Sequence, residues 1–378
     1  MHLLDDRYPA LHGARAIAVV MVLQLHASNL LVMEFLQPDR PIYHLSRQAW
    51  FGMDIFFILS GFLIGTMLTH RDALSSARGV GRFYLRRAFR IFPPYYLVLT
   101  ALALMPWTTA LQRSTLPWEY LYGTNYLVFH QRKLVMPWAW SLCVEEHFYL
   151  VVPLVLLLLR RLSSTPGRFA ALLGLWALGG VIRVLDGLAH WNPRDPDGTF
   201  LRLFVRTHDR FDILVVGVAI ALALRDHRAA FEAALTRRGV RRALGFLGMV
   251  GLWLCVSPPQ ALARVPTLRE SLSWGTFTSL LCGALLPLLL AGDGGFKRAL
   301  SAPFFRPIST LSYGIYLIHI PVGERLAVPA ALALRLTPGW TWLLAVFFLW
   351  FFSLAGAYLM HLLVEKPMLS LRERMAPG

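Results

Sequence analysis

The chain has 378 residues, 56% of them hydrophobic and only 15% charged, with a mean hydropathy of +0.53. Soluble domains carry about 25% charged residues, so the composition excludes an ordinary water-soluble globule. The formal net charge of +16 is gathered into alternate connecting segments, which is the positive-inside pattern of a membrane protein and removes nucleic acid as its explanation.

Apolar runs of roughly 20 residues recur along the whole length. Lipid offers no partner to a bare backbone, so such runs must be helices or barrel strands, and uninterrupted apolarity selects helices. In chain order the spans are expected at about 15–34, 51–69, 91–111, 138–159, 169–185, 208–224, 243–258, 273–291, 309–323 and 340–364, the ninth interrupted by Pro321. The reading is an all-α polytopic membrane protein with about ten transmembrane helices. It forms a single membrane-embedded domain over 1–378 with no separate soluble domain. The first span is expected to stay as a signal anchor. Arginines crowd the segment from Arg71 to Arg90 and that from Arg225 to Arg242, which places both termini in the cytoplasm. Cys143, Cys255 and Cys282 fall inside apolar runs without ligand spacing. They read as small buried hydrophobes, and no metal site is implied.

Ionisable groups inside membrane helices are costly and are functional candidates by default. Arg15 and His26 in the first span are separated by eleven residues, three turns plus about 20°, so they share a face about 16 Å apart along the axis. His26 then sits near the midplane, as a packing histidine or as a catalytic one. In the fourth span, WSLCVEEHFYL places Ser141, Glu145 and Tyr149 on one face at i, i+4, i+8 spacing. Glu145 is expected about 10 Å below the outer surface, nearly level with His26. Adjacent Glu146 reads more readily as half of a structural ion pair. In the ninth span, LSYGIYLIHIP carries Tyr316 and His319, the latter about 15 Å in from the cytoplasm.

The run RFYLRRAFRIFPPYY places Arg82, Arg86, Arg87 and Arg90 among aromatics, on an amphipathic helix that Pro93-Pro94 is expected to end. It suits a lipid-surface helix holding headgroups equally with a clamp for an anionic substrate, since arginine forks match phosphate oxygens.

These motifs, taken in order, resemble the integral-membrane acyltransferases of the acyltransferase 3 family. LHGARAIAVVMVLQLHA carries an arginine, ten residues, then a histidine; FGMDIFFILSGFLIG contains Asp54 and Ser60-Gly61. RRAFRIFPPYYL, WSLCVEEHFYL, HDRFDILVVG with Arg210 and Asp212, LSYGIYLIHIP and VEKP follow. His147 stands where that family often has glutamine. The resemblance implies a multi-pass acyltransferase of the bacterial inner membrane, moving an acetyl or other short acyl group from cytoplasmic acyl-coenzyme A to a carbohydrate-containing acceptor. It implies Arg15, Arg86, Arg87 and Arg90 against the coenzyme's phosphates, and His26 as general base or acyl carrier with Glu145 orienting its imidazole. Asp54, Ser141, Tyr149, Arg210, Asp212, Tyr316 and His319 are expected to bind substrate or to shape the site. Membrane lipid is the remaining partner. A transporter or flippase for a lipid-linked or anionic substrate is the competing reading. Its mark would be helix breaks in two related halves, and no internal repeat is evident. A non-catalytic scaffold leaves the three buried ionisable groups without a purpose.

Overall fold

The computed structural model describes residues 7–31, 48–69, 73–127, 134–256, 267–291 and 294–376. Each expected span has a helix: α1 Ala10–Leu31, α2 Gly52–Thr69, α3 Ala77–Leu104, α4 Trp140–Arg160, α5 Thr165–His190, α6 Phe211–Asp226, α7 Arg238–Val256, α8 Leu268–Leu290, α9 Phe305–Val322 and α10 Pro338–Met360. A further amphipathic helix, α11, covers Lys366–Met375. The described residues contain no strand. Eight of these helices are long and apolar enough to cross a membrane. The other two of the ten are α3, whose first half carries the arginines, and α6, which has 16 residues. The expected ends of the first and seventh spans, 32–34 and 257–258, lie outside the described residues. All three cysteines are free and buried.

The centre of the bundle is the α2–α6 pair. Helix α2 is buried nearly all round, as a helix apolar on every face should be when others surround it. The two backbones approach so closely that a Cβ on Gly61 would stand 2.1 Å from the Leu214 carbonyl oxygen, and one on Gly217 would stand 2.3 Å from that of Ile58. Small residues permit this approach, and in lipid such close packing drives helix association. Helix α9 packs against α1 and α10, and α11 packs against α3.

Two proline expectations are corrected. Helix α3 runs unbroken through Pro93 and Pro94, although the pair was expected to end it. Helix α9 likewise passes Pro321 and continues through a π-helical turn, Gly323–Ala327, to Ala333. A proline frees the carbonyl four residues back, and inside a membrane bundle a neighbour can take it up. For Pro321 that carbonyl belongs to Leu317, and the Trp138 indole N–H donates to it at 3.1 Å.

Candidate active site

A cavity of about 100 Å³ lies among α1, α2, α3, α4 and α9. Arg15, Arg87 and Arg90 line one end of it, and Ser141 and Tyr316 line the other. The predicted face of α4 is realised, since Ser141, Glu145 and Tyr149 all reach the cavity. Glu145 accepts from Ser60 Oγ at 2.9 Å and from the Tyr149 hydroxyl at 2.8 Å. Ser60 and Tyr149 are themselves 2.6 Å apart. The Arg87 guanidinium lies over the Tyr149 ring, 4.1 Å from its centroid. Its Nε is buried without a hydrogen-bond partner among the described residues. Ser60 was legible in the α2 signature but was not read as a site residue.

Arg86 departs from its expected group. Its fork holds Glu373 of α11 at 3.0 and 3.2 Å, and it donates to the Ala376 carbonyl at 2.5 Å. The cavity-facing cations are therefore Arg15, Arg87 and Arg90.

His26 and His319 meet across the α1–α9 contact. His319 Nε2 is 3.0 Å from His26 Nδ1, and its Nδ1 is 2.7 Å from the Tyr316 carbonyl. At the opposite end of the same contact, His12 Nδ1 is 3.1 Å from Ser309 Oγ. His319 is fully buried, whereas His26 is half-buried. The Tyr316 hydroxyl donates to the Trp138 carbonyl and meets Ser141 Oγ at 2.6 Å, closing the cavity. Glu145 lies one helical turn from Ser141, and His319 nearly a turn from Tyr316 in the other direction. The hydrogen bonds of Glu145 go to Ser60 and Tyr149, whereas the His26 imidazole meets His319 and the Val22 backbone one turn back on α1.

Asp54, Arg210 and Asp212 form a different cluster. Arg210 Nη2 is 3.2 Å from Asp54 Oδ1, with both residues buried. The guanidinium is boxed by Trp274 at 4.2 Å, Phe204 at 4.7 Å and Phe57 at 5.1 Å. Asp212 pairs with Arg183 at 2.7 Å. Arg183 was missed by sequence reading, although one arginine inside an apolar run is a signal.

Asp186, His208 and Asp209, before α6, offer atoms within 4.8 Å of one another that could ligate a metal. However, Arg202 grips both oxygens of Asp186 at 2.9 and 3.0 Å, so the cluster already holds its cation.

The comparisons agree with this architecture. Over 331 residues, 83% of this chain and 48% of the relative, the sequence is 26% identical to a putative peptidoglycan O-acetyltransferase of Bacillus subtilis. It is 24% identical to a peptidoglycan O-acetyltransferase of Listeria monocytogenes over 83% of this chain and 49% of that one. A putative O-acetyltransferase of Staphylococcus aureus is also 24% identical, over 83% and 50%. The chain thus spans about half the length of the curated relatives it matches. No solved structure matches it significantly. Residues 8–362 match the acyltransferase 3 family, described as an acyltransferase domain, and the chain belongs to that family.

Proposed function

We propose that this protein is an O-acyltransferase of the bacterial inner membrane, both termini cytoplasmic. It transfers an acetyl or other short acyl group from cytoplasmic acyl-coenzyme A to a glycan hydroxyl. The observation that carries this reading is the cavity, lined by three arginines, with a histidine pair joined to it through Tyr316. Coenzyme A brings a pyrophosphate and a 3′-phosphate, which suit Arg15, Arg87 and Arg90. Its thioester arm extends toward Ser141 and Tyr316, whose hydroxyls must part for the acyl group to reach His26. Peptidoglycan, named for two relatives, makes a cell-wall glycan the first acceptor to test.

The acceptor oxygen attacks the thioester carbonyl while its proton passes to His26, an imidazole suited to that exchange near neutrality. The C–S bond breaks and the sulfur leaves as the thiol, taking the proton back from the imidazolium. In the second form of the same reading, His26 attacks first and carries the acyl group to the acceptor. Glu145 acts on the donor side, with Ser60 and Tyr149 fixing its carboxylate.

The test is transfer of labelled acetyl from acetyl-coenzyme A to peptidoglycan fragments by proteoliposomes, with the donor on one face and the acceptor on the other. His26→Ala is expected to lower turnover by about 10²–10⁴-fold or more. Turnover within a few-fold of wild type removes His26 from the mechanism. Transfer only with the donor on the face of α7's arginine-rich N-terminus is the expected sidedness.

A further inference from the structure

We infer that His319 is a positioning residue that sets the tautomer and aim of His26. This rests on His26 acting at the acyl group, as proposed above. The argument is a count of hydrogens along one chain of contacts. A backbone carbonyl only accepts, so the Tyr316 carbonyl at 2.7 Å requires a hydrogen on His319 Nδ1. A neutral imidazole with its hydrogen on Nδ1 presents Nε2 as an acceptor. His319 Nε2 therefore accepts from His26 Nδ1 at 3.0 Å, whose hydrogen also faces the Val22 carbonyl one turn back on α1. This leaves the lone pair of His26 on Nε2. The tautomers follow from the network, each nitrogen assigned by the partner it faces.

This arrangement does for His26 what a buried carboxylate does in a hydrolase triad: it fixes which nitrogen is free and holds the ring. It does so without placing a second charge in the bundle, where each charge is costly. When His26 takes the acceptor proton at Nε2, its Nδ1–H becomes a charged donor and the bond to His319 strengthens. No proton needs to move onto His319. Tyr316 joins the two halves of the site, because its hydroxyl closes the donor cavity while its carbonyl anchors His319.

The test compares His319→Gln, His319→Asn and His319→Leu, with turnover expressed per folded protein in the monodisperse fraction. Glutamine reaches far enough to accept from His26, asparagine is one bond too short, and leucine cannot accept. His319→Gln is expected to keep turnover within about tenfold of wild type, while Asn and Leu lower kcat by about 10²–10³-fold. The donor KM should stay within about threefold in all three, since the loss falls on the chemical step. A packing role predicts normal kcat in whatever protein folds. Wild-type turnover in the Asn variant, or a Gln variant as slow as Asn, overturns the proposal while a dead His26→Ala leaves the function standing. An active His26→Ala removes both. Should the Leu variant fail to fold, the Gln and Asn pair still decides.

Discussion

Two groups of buried charge occupy this bundle, and they are built differently. At the start of α6, Arg210 faces Asp54 and Arg183 faces Asp212, one cation to one anion. Aromatic faces close around Arg210, with Trp274 also 5.5 Å from Arg183. In the cavity between α1, α3 and α4, three arginines line the space with a single carboxylate, that of Glu145. All three arginines and that carboxylate are only half-buried. The first group sets each cation against a carboxylate of the chain. The second gathers three cations and one carboxylate around a cavity, and the cavity gives an anion room to lie beside them. A buried charge in a membrane helix is thus not a site by itself; what separates these two groups is the cavity that one of them lines.

The largest expected effect breaks the closed group. Arg210→Met leaves Asp54 buried without its cation, and losing one member of a buried pair costs about 3–5 kcal/mol. Folded protein should fall sharply, as read by thermal unfolding in detergent. The double variant Asp54→Leu with Arg210→Met should recover most of the stability, because replacing a whole buried pair by apolar groups is often neutral. It should recover transfer activity as well if the pair is structural. A stable but inactive double variant would move Asp54 and Arg210 into the site.

The open group should respond in binding. Arg87→Gln and Arg90→Gln each remove a charge-assisted contact worth about 1.5–3 kcal/mol, or roughly 10- to 150-fold in affinity for coenzyme A. Arg87→Lys keeps the charge without the fork and should still weaken binding measurably. Calorimetric titration of coenzyme A into the purified variants reads this directly. Unchanged affinity in all three would return these arginines to the role of lipid contacts and place the donor elsewhere.

The two groups also differ in how much of each was legible in the sequence. Apolar runs located ten helices because lipid forces every backbone group to be satisfied within the span. The i, i+4, i+8 face of α4 was legible because a helix fixes it locally. His26 and His319 were both singled out, but their contact depends on how α1 meets α9, which no local pattern encodes. The reading of Pro321 failed because it counted the helix alone, whereas Trp138 supplies a donor from another segment to the carbonyl that the proline frees. Arg183 escaped because a single arginine barely alters the apolarity of a long span.

Arg86 gives the smallest expected effect and the sharpest control. It stands next to Arg87 in sequence and was grouped with it, yet its fork is spent on Glu373 and the Ala376 carbonyl. Glu373 is half exposed, so the pair is screened, and exposed pairs of this kind are worth about 0.2–1 kcal/mol. Arg86→Gln should therefore lower thermal stability only slightly and leave coenzyme A affinity within about threefold of wild type, below the loss of even one charge-assisted contact. Glu373→Gln should also lower stability only slightly, since it weakens the Arg86 contact together with that of neighbouring Arg372 at the surface. If Arg86→Gln instead weakens coenzyme A as much as Arg87→Gln, then the donor draws Arg86 away from α11 on binding. The α3–α11 contact would then be part of the donor site rather than a strut beside it.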